Sequence, residues 1–126
     1  MLVWYENNQK NRVTYNANYN YIIIPSSVLD ETKALNGIIK VKLGIDKEKK
    51  RIIIKYTNSD FKGFNLTRTK NKRDVSYKLS TNAFPEINKI LQQGQYDVFI
   101  KEDEIEIDVS HNYKKYNKKE NTHYEN

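Results

Sequence analysis

One short stretch decides the fold, and it occurs twice in diverged form. The first copy runs Tyr21-Ile22-Ile23-Ile24-Pro25-Ser26-Ser27-Val28-Leu29-Asp30 and continues to Gly37. The second runs Tyr77-Lys78-Leu79-Ser80-Thr81-Asn82-Ala83-Phe84-Pro85-Glu86 and continues to Gly94. At a spacing of 56 residues Tyr21 matches Tyr77, and Val28 matches Phe84. Self-similarity at a fixed spacing predicts an internal duplication.

Each copy has the pattern of a strand, a short helix and a hairpin. In the first, odd-numbered residues from Val13 to Ile23 alternate with polar residues, which predicts one half-buried strand. Pro25 ends that strand, and Ser26 or Ser27 is the predicted cap of a short helix. Asn36-Gly37 supplies the left-handed stop of this helix. A hairpin of strands 38–43 and 51–56 then completes the unit.

The second copy predicts a strand at 74–79, a helix at about 81–91, and hairpin strands at 96–100 and 104–109. A further strand, 64–68, precedes it. Since a unit of about 45 residues buries too little apolar surface to fold alone, the two units are expected to share one core. The predicted fold is therefore mainly β with two short helices, in which two β-α-β-β units interleave into a barrel with pseudo-two-fold symmetry.

Composition sets the domain organisation and the compartment. Residues 1–110 are expected to form one domain, with repeats at about 10–57 and 64–109. Residues 111–126 are expected to form a flexible basic tail, because 112–126 contain no aliphatic residue. The start of the chain does not resemble a signal peptide, no stretch has the roughly 20 apolar residues that span a bilayer, and cysteine is absent. These features predict a cytoplasmic protein that does not enter a membrane.

Charge is distributed unevenly along the chain, whose formal net charge is +6. Residues 33–78 carry fourteen Lys or Arg against four Asp or Glu, a net of +10. Residues 79–111 carry two against seven, a net of −5. A basic middle of this kind favours polyanion binding. A solvated basic surface without a ligand is the alternative interpretation.

The strand that ends in Ile23-Ile24-Pro25, the short helix, Gly37 and the following hairpin together resemble the AbrB/MazE/SpoVT swapped-hairpin family. In that family two such units, usually from two chains, interleave into one DNA-binding barrel. The resemblance covers most of residues 10–109 and implies a DNA-binding regulator. Here both units lie in one chain, which implies a monomeric pseudo-dimer, with a homodimer as the alternative. The Gly-Arg that typically precedes the first strand is absent from both copies, and the second copy lacks the proline.

The resemblance also indicates which side chains bind duplex DNA, because the family uses arginines on and beside the first strand. The matching positions in this sequence are Lys10, Arg12, Arg68, Lys70, Lys72 and Arg73. Arginine and lysine bind phosphates, and arginine also reads guanine edges. An exposed turn that happens to be basic would have the same sequence.

Two other functions remain open. The acidic residues near the C-terminal hairpin predict a partner-binding patch. Such a patch would mimic DNA phosphates and occupy a basic cleft on a host nucleic-acid enzyme, as in a phage- or plasmid-encoded inhibitor. They are Glu102, Asp103, Glu104, Glu106 and Asp108. The third hypothesis is a single-strand binder that stacks bases on Tyr15, Tyr19 and Tyr21, although alternating tyrosines more often belong to a core.

Catalysis receives little support from the sequence. The two histidines, His111 and His123, lie at or beyond the last predicted strand. No Cys/His or Glu/His spacing indicates a metal site, and no glycine-rich loop indicates a phosphate-binding turn. We therefore expect a binding protein that is not an enzyme, with no catalytic residue, metal or cofactor.

Overall fold

A computed structural model describes residues 11–58, 63–70 and 74–113. These residues form the strands β1 (Arg12–Asn16), β2 (Tyr21–Pro25), β3 (Ile38–Asp46), β4 (Arg51–Tyr56), β5 (Phe64–Lys70), β6 (Val75–Ser80), β7 (Gly94–Ile100) and β8 (Glu104–Asp108). Helical structure in the described ranges consists of α1 (Pro85–Ile90) and two 3-10 turns, Ser26–Val28 and Glu31–Lys33.

The eight strands close into a barrel in the order β1-β2-β6-β5-β3-β4-β8-β7, and every neighbouring pair is antiparallel. Because β1–β4 belong to the first unit and β5–β8 to the second, the units alternate two strands at a time around the barrel. If each strand of the first unit is replaced by the corresponding strand of the second, and the reverse, the same cyclic order results, read in the opposite direction. The arrangement therefore has pseudo-two-fold symmetry. The predicted fold class, mainly β with a closed barrel and few short helices, is confirmed.

The predicted single strand from Val13 to Ile23 is wrong, because the chain turns back on itself at residues 17–20. The Asn16 side chain accepts hydrogen bonds from the backbone N–H groups of Asn18 and Tyr19, an Asx-type turn, and Asn20 has a φ of 54°. The turn also changes which positions face inward: odd-numbered residues are buried in β1 and even-numbered ones in β2.

This change of facing shifts the match between the two copies by one residue. In β2 the buried side chains are those of Ile22 and Ile24, whereas in β6 they are those of Tyr77 and Leu79. Positions of equal burial are therefore 55 residues apart, 77 − 22, and the spacing of 56 paired inward residues with outward ones.

The predicted helices are shorter in the structure. Pro25 precedes the first 3-10 turn without any capping side chain, so neither serine acts as the predicted cap. Asp30 caps the second turn instead, since its carboxylate accepts from Thr32 N at 3.0 Å. The predicted left-handed conformation is present, with φ of 54° at Asn36 and 76° at Gly37, but it does not end a helix, because the 3-10 turn already ends at Lys33 and Ala34 is extended. Asn36-Gly37 instead form the two-residue turn between Leu35 and Ile38, which exchange backbone hydrogen bonds of 2.8 and 3.1 Å. In the second unit, Pro85 starts α1, where its missing N–H costs nothing.

Aliphatic and tyrosine side chains fill the barrel interior. Ile52, Ile54, Ile105 and Ile107 are fully buried, and complete burial of each such side chain stabilises the fold by roughly 1.5–3 kcal/mol. Asn88 of α1 joins the helix to the barrel by polar contacts. Its Oδ1 lies 2.9 Å from the Tyr15 hydroxyl and 2.6 Å from Thr81 Oγ1, and its Nδ2 donates to Thr81 O at 3.0 Å.

The chain continues along β7 after the last strand ends. Tyr113 and Gln95 exchange backbone hydrogen bonds of 2.7 and 2.9 Å, and Asn112 Nδ2 donates to Gln93 O at 3.1 Å. Asn112 therefore packs directly on Gly94, whose φ is +144°. Tyr113 is thus hydrogen-bonded to β7, and the rest of the predicted tail, residues 114–126, lies outside the described part of the chain.

We expect Gly94→Ala to lower the free energy of unfolding by about 2 kcal/mol or more, because the new Cβ would collide with Asn112 Oδ1 on a backbone that favours glycine. Gly44→Ala is the matched control, since a Cβ there meets nothing within 4 Å. Urea denaturation of both variants checks this expectation. Equal stability of the two would show that Asn112 does not pack on Gly94.

Candidate nucleic-acid interface

One side of the barrel wall is rich in lysine, hydroxyl and amide side chains at its described outward-facing positions. We call the part formed by outward residues of β5, β6 and β3 from Lys40 to Lys42 the acid-free face, because the outward carboxylate of β3, Asp46, lies beyond it at the end of that strand, opposite Arg51. Its members are Lys40, Lys42, Asn65, Thr67, Thr69, Ser76, Lys78 and Ser80. The outward positions of the adjoining strand β2 are Tyr21, Ile23 and Pro25, so the absence of carboxylates extends across that strand too.

Strand register brings these side chains together. Lys78 lies between Ile23 of β2 and Thr67 of β5, and Lys40 lies opposite Asn65. Thr69 is opposite Ser76, and their hydroxyl oxygens are 3.1 Å apart. Lysine ammonium groups thus alternate with hydroxyl and amide groups, all of which can donate hydrogen bonds to phosphate oxygens.

Two positive charges are direct neighbours at the β3 edge of this face. Lys42 is directly opposite Lys55 of β4, and like charges in that position are destabilising. Lys55 is 3.8 Å from Asp103, but both side chains are more than half exposed, so this pair contributes little. An anion bound between the two lysines would relieve their repulsion.

The structure describes three of the six basic residues predicted to contact DNA. Arg68 and Lys70 lie together at the end of β5 and are exposed. Leu66, which is buried, and these two residues occupy every second position of β5, so all three side chains leave the strand on its inward side. Arg68 and Lys70 lie at the end of the barrel, beside the acid-free face. Lys10, Lys72 and Arg73 lie outside the described residues.

Arg12 is placed differently, on β1, three strands away from β5. Its Nε is 3.3 Å from Asp97 Oδ1, and its guanidinium lies 3.7 Å from the centre of the Tyr113 ring. The Tyr113 hydroxyl in turn donates to Asp97 Oδ2 at 3.0 Å. These contacts give Arg12 a structural role, fastening the segment after β8 to the wall.

The predicted acidic patch is divided between different environments. Glu106 is 4% exposed, and its carboxylate is held by Lys101 Nζ at 2.6 Å and Arg51 Nη1 at 2.8 Å. Asp103 is near Lys55, and Asp108 accepts from Ser110 N at 2.9 Å. Glu102 is exposed, whereas Glu104 is half-buried. The group therefore does not form one continuous negative surface.

Two carboxyl groups on β8 have shifted pKa values of opposite direction. The hydrogen bonds from Lys101 and then Arg51 lower the pKa of Glu106 to about 2. Burial raises the pKa of Glu104, and the neighbouring Glu106 raises it further. Glu106 therefore stays ionised to a lower pH than Glu104, and its charge is paired with two cations.

Lys40, Lys42 and Lys78 were not among the predicted DNA contacts. The sequence contains a signal for them, since Lys40-x-Lys42, Thr67-x-Thr69 and Ser76-x-Lys78-x-Ser80 each repeat with the period of two that places side chains on one face of a strand. What the sequence does not show is that β3, β5 and β6 are neighbours, because β3 and β5 pair across the two units.

We expect Glu106→Gln to lower the free energy of unfolding by about 1–3 kcal/mol at pH 7, because two charge-assisted hydrogen bonds are lost from a buried group. The folded pKa of Glu106 is about 2, below the ordinary value of 4.5. Its stabilising effect is therefore complete above pH 4.5 and disappears as the pH falls through about 2.

Urea denaturation at a series of pH values measures this difference between wild type and variant. Glu102→Gln, which removes an exposed carboxylate from the same hairpin, is the control and should change stability little. A difference between wild type and Glu106→Gln that persisted unchanged to pH 2 would contradict the assignment.

Comparison with known proteins returns no match to a family model, a curated protein or a solved structure. Within the described ranges no helix is both long and apolar enough to cross a membrane. The function of the acid-free face is therefore inferred from its own geometry and charge.

Proposed function

We propose that the protein binds duplex DNA through the acid-free face and the adjoining end of β5. The observation that carries this proposal is the set of lysines on neighbouring strands with no carboxylate among the outward side chains between them. Phosphate contacts supply most of the affinity of proteins for DNA. Lysines grouped in this way attract a polyanion.

The polar residues between the lysines suit the same ligand. Thr67 and Thr69 are exposed on β5, and Ser80 is exposed on β6. Hydroxyl and amide side chains provide a large share of protein contacts to phosphate and sugar, where they fix the orientation of the protein. Lysine supplies the charge, and the hydroxyl groups supply short-range hydrogen bonds.

The spacing of the strands suits contact with a groove of the duplex. β5 and β6 are neighbouring antiparallel strands of the barrel wall, and their pairing extends as far as Lys70 opposite Val75. Neighbouring strands are about 4.8 Å apart, and the major groove is about 12 Å wide. With β5 and β6 over the groove, Lys40 and Lys42 on β3 would face one phosphate backbone.

The interleaved strand order also supports this proposal. Each unit has four strands, one more than the predicted β-α-β-β pattern, but the two units interleave in one barrel as expected of the swapped-hairpin DNA-binding family. We therefore propose a regulator or accessory protein of that type. Neutralisation of Glu106 by Arg51 and Lys101 favours this function over DNA mimicry by the acidic residues. Inhibition of a host enzyme stays a prediction.

Charge reversal at Lys42, Lys70 and Lys78 is expected to weaken binding to a random duplex by roughly tenfold or more. Removing each lysine–phosphate interaction should also reduce the slope of log affinity against log salt by about 0.9. Fluorescence anisotropy with a labelled duplex, at low and near-physiological salt, measures both quantities.

The control is charge reversal at Lys47, Lys49 and Lys89, which are exposed in the β3–β4 loop and on α1. Each triple variant changes the net charge by six, from +6 to 0, so the two differ only in where the charges lie. Equal losses of affinity in both variants would show that net charge alone causes the effect. No loss of affinity in either variant would show that the acid-free face is not the binding surface.

A further inference from the structure

An exposed tyrosine stands at the border of the acid-free face and has no role in the core. Tyr19 is 69% exposed, although it lies in the tight turn between β1 and β2. Of the three tyrosines considered for base stacking, Tyr15 is buried and Tyr21 is half-buried, so Tyr19 alone presents most of its ring to solvent.

The ring of Tyr19 belongs to a layered group that reaches the lysines. It stacks on Tyr21 with 6.1 Å between ring centres and an interplanar angle of 12°. Lys78 Nζ of the acid-free face lies 4.1 Å from the centre of the Tyr21 ring. A cation and two nearly parallel aromatic rings are the components with which proteins bind unpaired nucleotides.

Hydrogen bonds fix the turn that carries Tyr19. The Asn16 carboxamide accepts from the N–H groups of Asn18 and Tyr19 at 3.0 and 3.3 Å, and Gln93 Oε1 accepts from Ala17 N at 2.8 Å. Asn20 O accepts from Thr81 N at 2.8 Å.

The partner ring is fixed as well, since Asn16 Nδ2 donates to the Tyr21 hydroxyl at 3.1 Å. The backbone that carries Tyr19, and the ring on which Tyr19 stacks, are therefore held in place before any ligand binds, which lowers the entropy cost of binding.

We propose that Tyr19 stacks with an unpaired nucleobase, so that the preferred ligand is duplex DNA that continues into a short single strand. This inference rests on the proposed function, because the duplex part would occupy the acid-free face. Within a duplex the faces of the bases are covered by their neighbours, whereas an unpaired base can leave the stack and place one face on Tyr19. Lys78 is close enough to Tyr21 to connect the two parts of the site.

The test compares a blunt duplex with the same duplex extended by a few unpaired nucleotides, by fluorescence anisotropy at fixed salt. The wild-type protein should bind the extended duplex roughly tenfold more tightly, the range typical of one base stacked on an aromatic ring. Tyr19→Ala should lose this advantage while its affinity for the blunt duplex stays the same. Tyr19→Phe should keep it, because the ring, not the hydroxyl, makes the contact.

Leu35→Ala is the control, since it removes another exposed apolar side chain, 76% exposed, from a different turn. Thermal melts of all variants establish that they are folded. If blunt duplex binds but the extension adds nothing, or if Tyr19→Ala keeps the advantage, the stacking site is overturned and the proposed function stands. If neither DNA binds at low salt, both are overturned.

Discussion

The barrel depends on strand pairing between the two units. Four of its eight strand pairs join one unit to the other: β1 to β7, β2 to β6, β3 to β5 and β4 to β8. Neither unit can close a sheet with its own strands, and each would leave exposed edges and an uncovered apolar face. Because the units alternate two strands at a time, every strand of one unit pairs along its open edge with a strand of the other. The shared interior, including Ile24 beside Tyr77 and Ile54 beside Ile105, follows from this arrangement.

The same closed wall carries two chemically different surfaces. Inward positions are committed to packing, so only outward positions are free to differ between the units. On β5, β6 and the first half of β3 they are mostly lysine, threonine, serine and asparagine, whereas β8 presents carboxylates, of which Glu106 is paired with two basic side chains. Arg51 illustrates the difference, since it pairs with Glu106 and also covers the Phe99 ring at 4.1 Å. Side chains engaged in this way are not available to a ligand, whereas most of those on the acid-free face are exposed.

Much of the fold could be predicted from local sequence patterns, and each error in that prediction has a definite physical cause. The alternation of Ile52 and Ile54 and the left-handed backbone at Asn36-Gly37 reflect short-range periodicity and backbone geometry that a sequence records directly. The shared core follows from the small size of each unit. The two left-handed residues turn the chain between Leu35 and Ile38 and do not end a helix. The hairpin at 17–20 was missed because tyrosines at 15, 19 and 21 keep an odd-numbered pattern across a turn where the facing changes. The candidate site was predicted only in part. Arg68 and Lys70 are exposed together, but the register that brings Lys78 beside Thr67, and the ion pair that occupies Arg12, are long-range contacts.

The pairing of β1 with β7 has a consequence for how the polypeptide reaches its native state. Arg12 and Asp97 are 85 positions apart, so this seam cannot form until most of the protein has left the ribosome. Until then β1 and β2 would form a hairpin with both edges open, in a chain whose contacts are mostly non-local. Such topologies fold slowly and expose strand edges to other chains while they do so. The lysines of β3 and β6, which are synthesised before the last two strands, would keep nascent copies apart through their mutual repulsion during that interval.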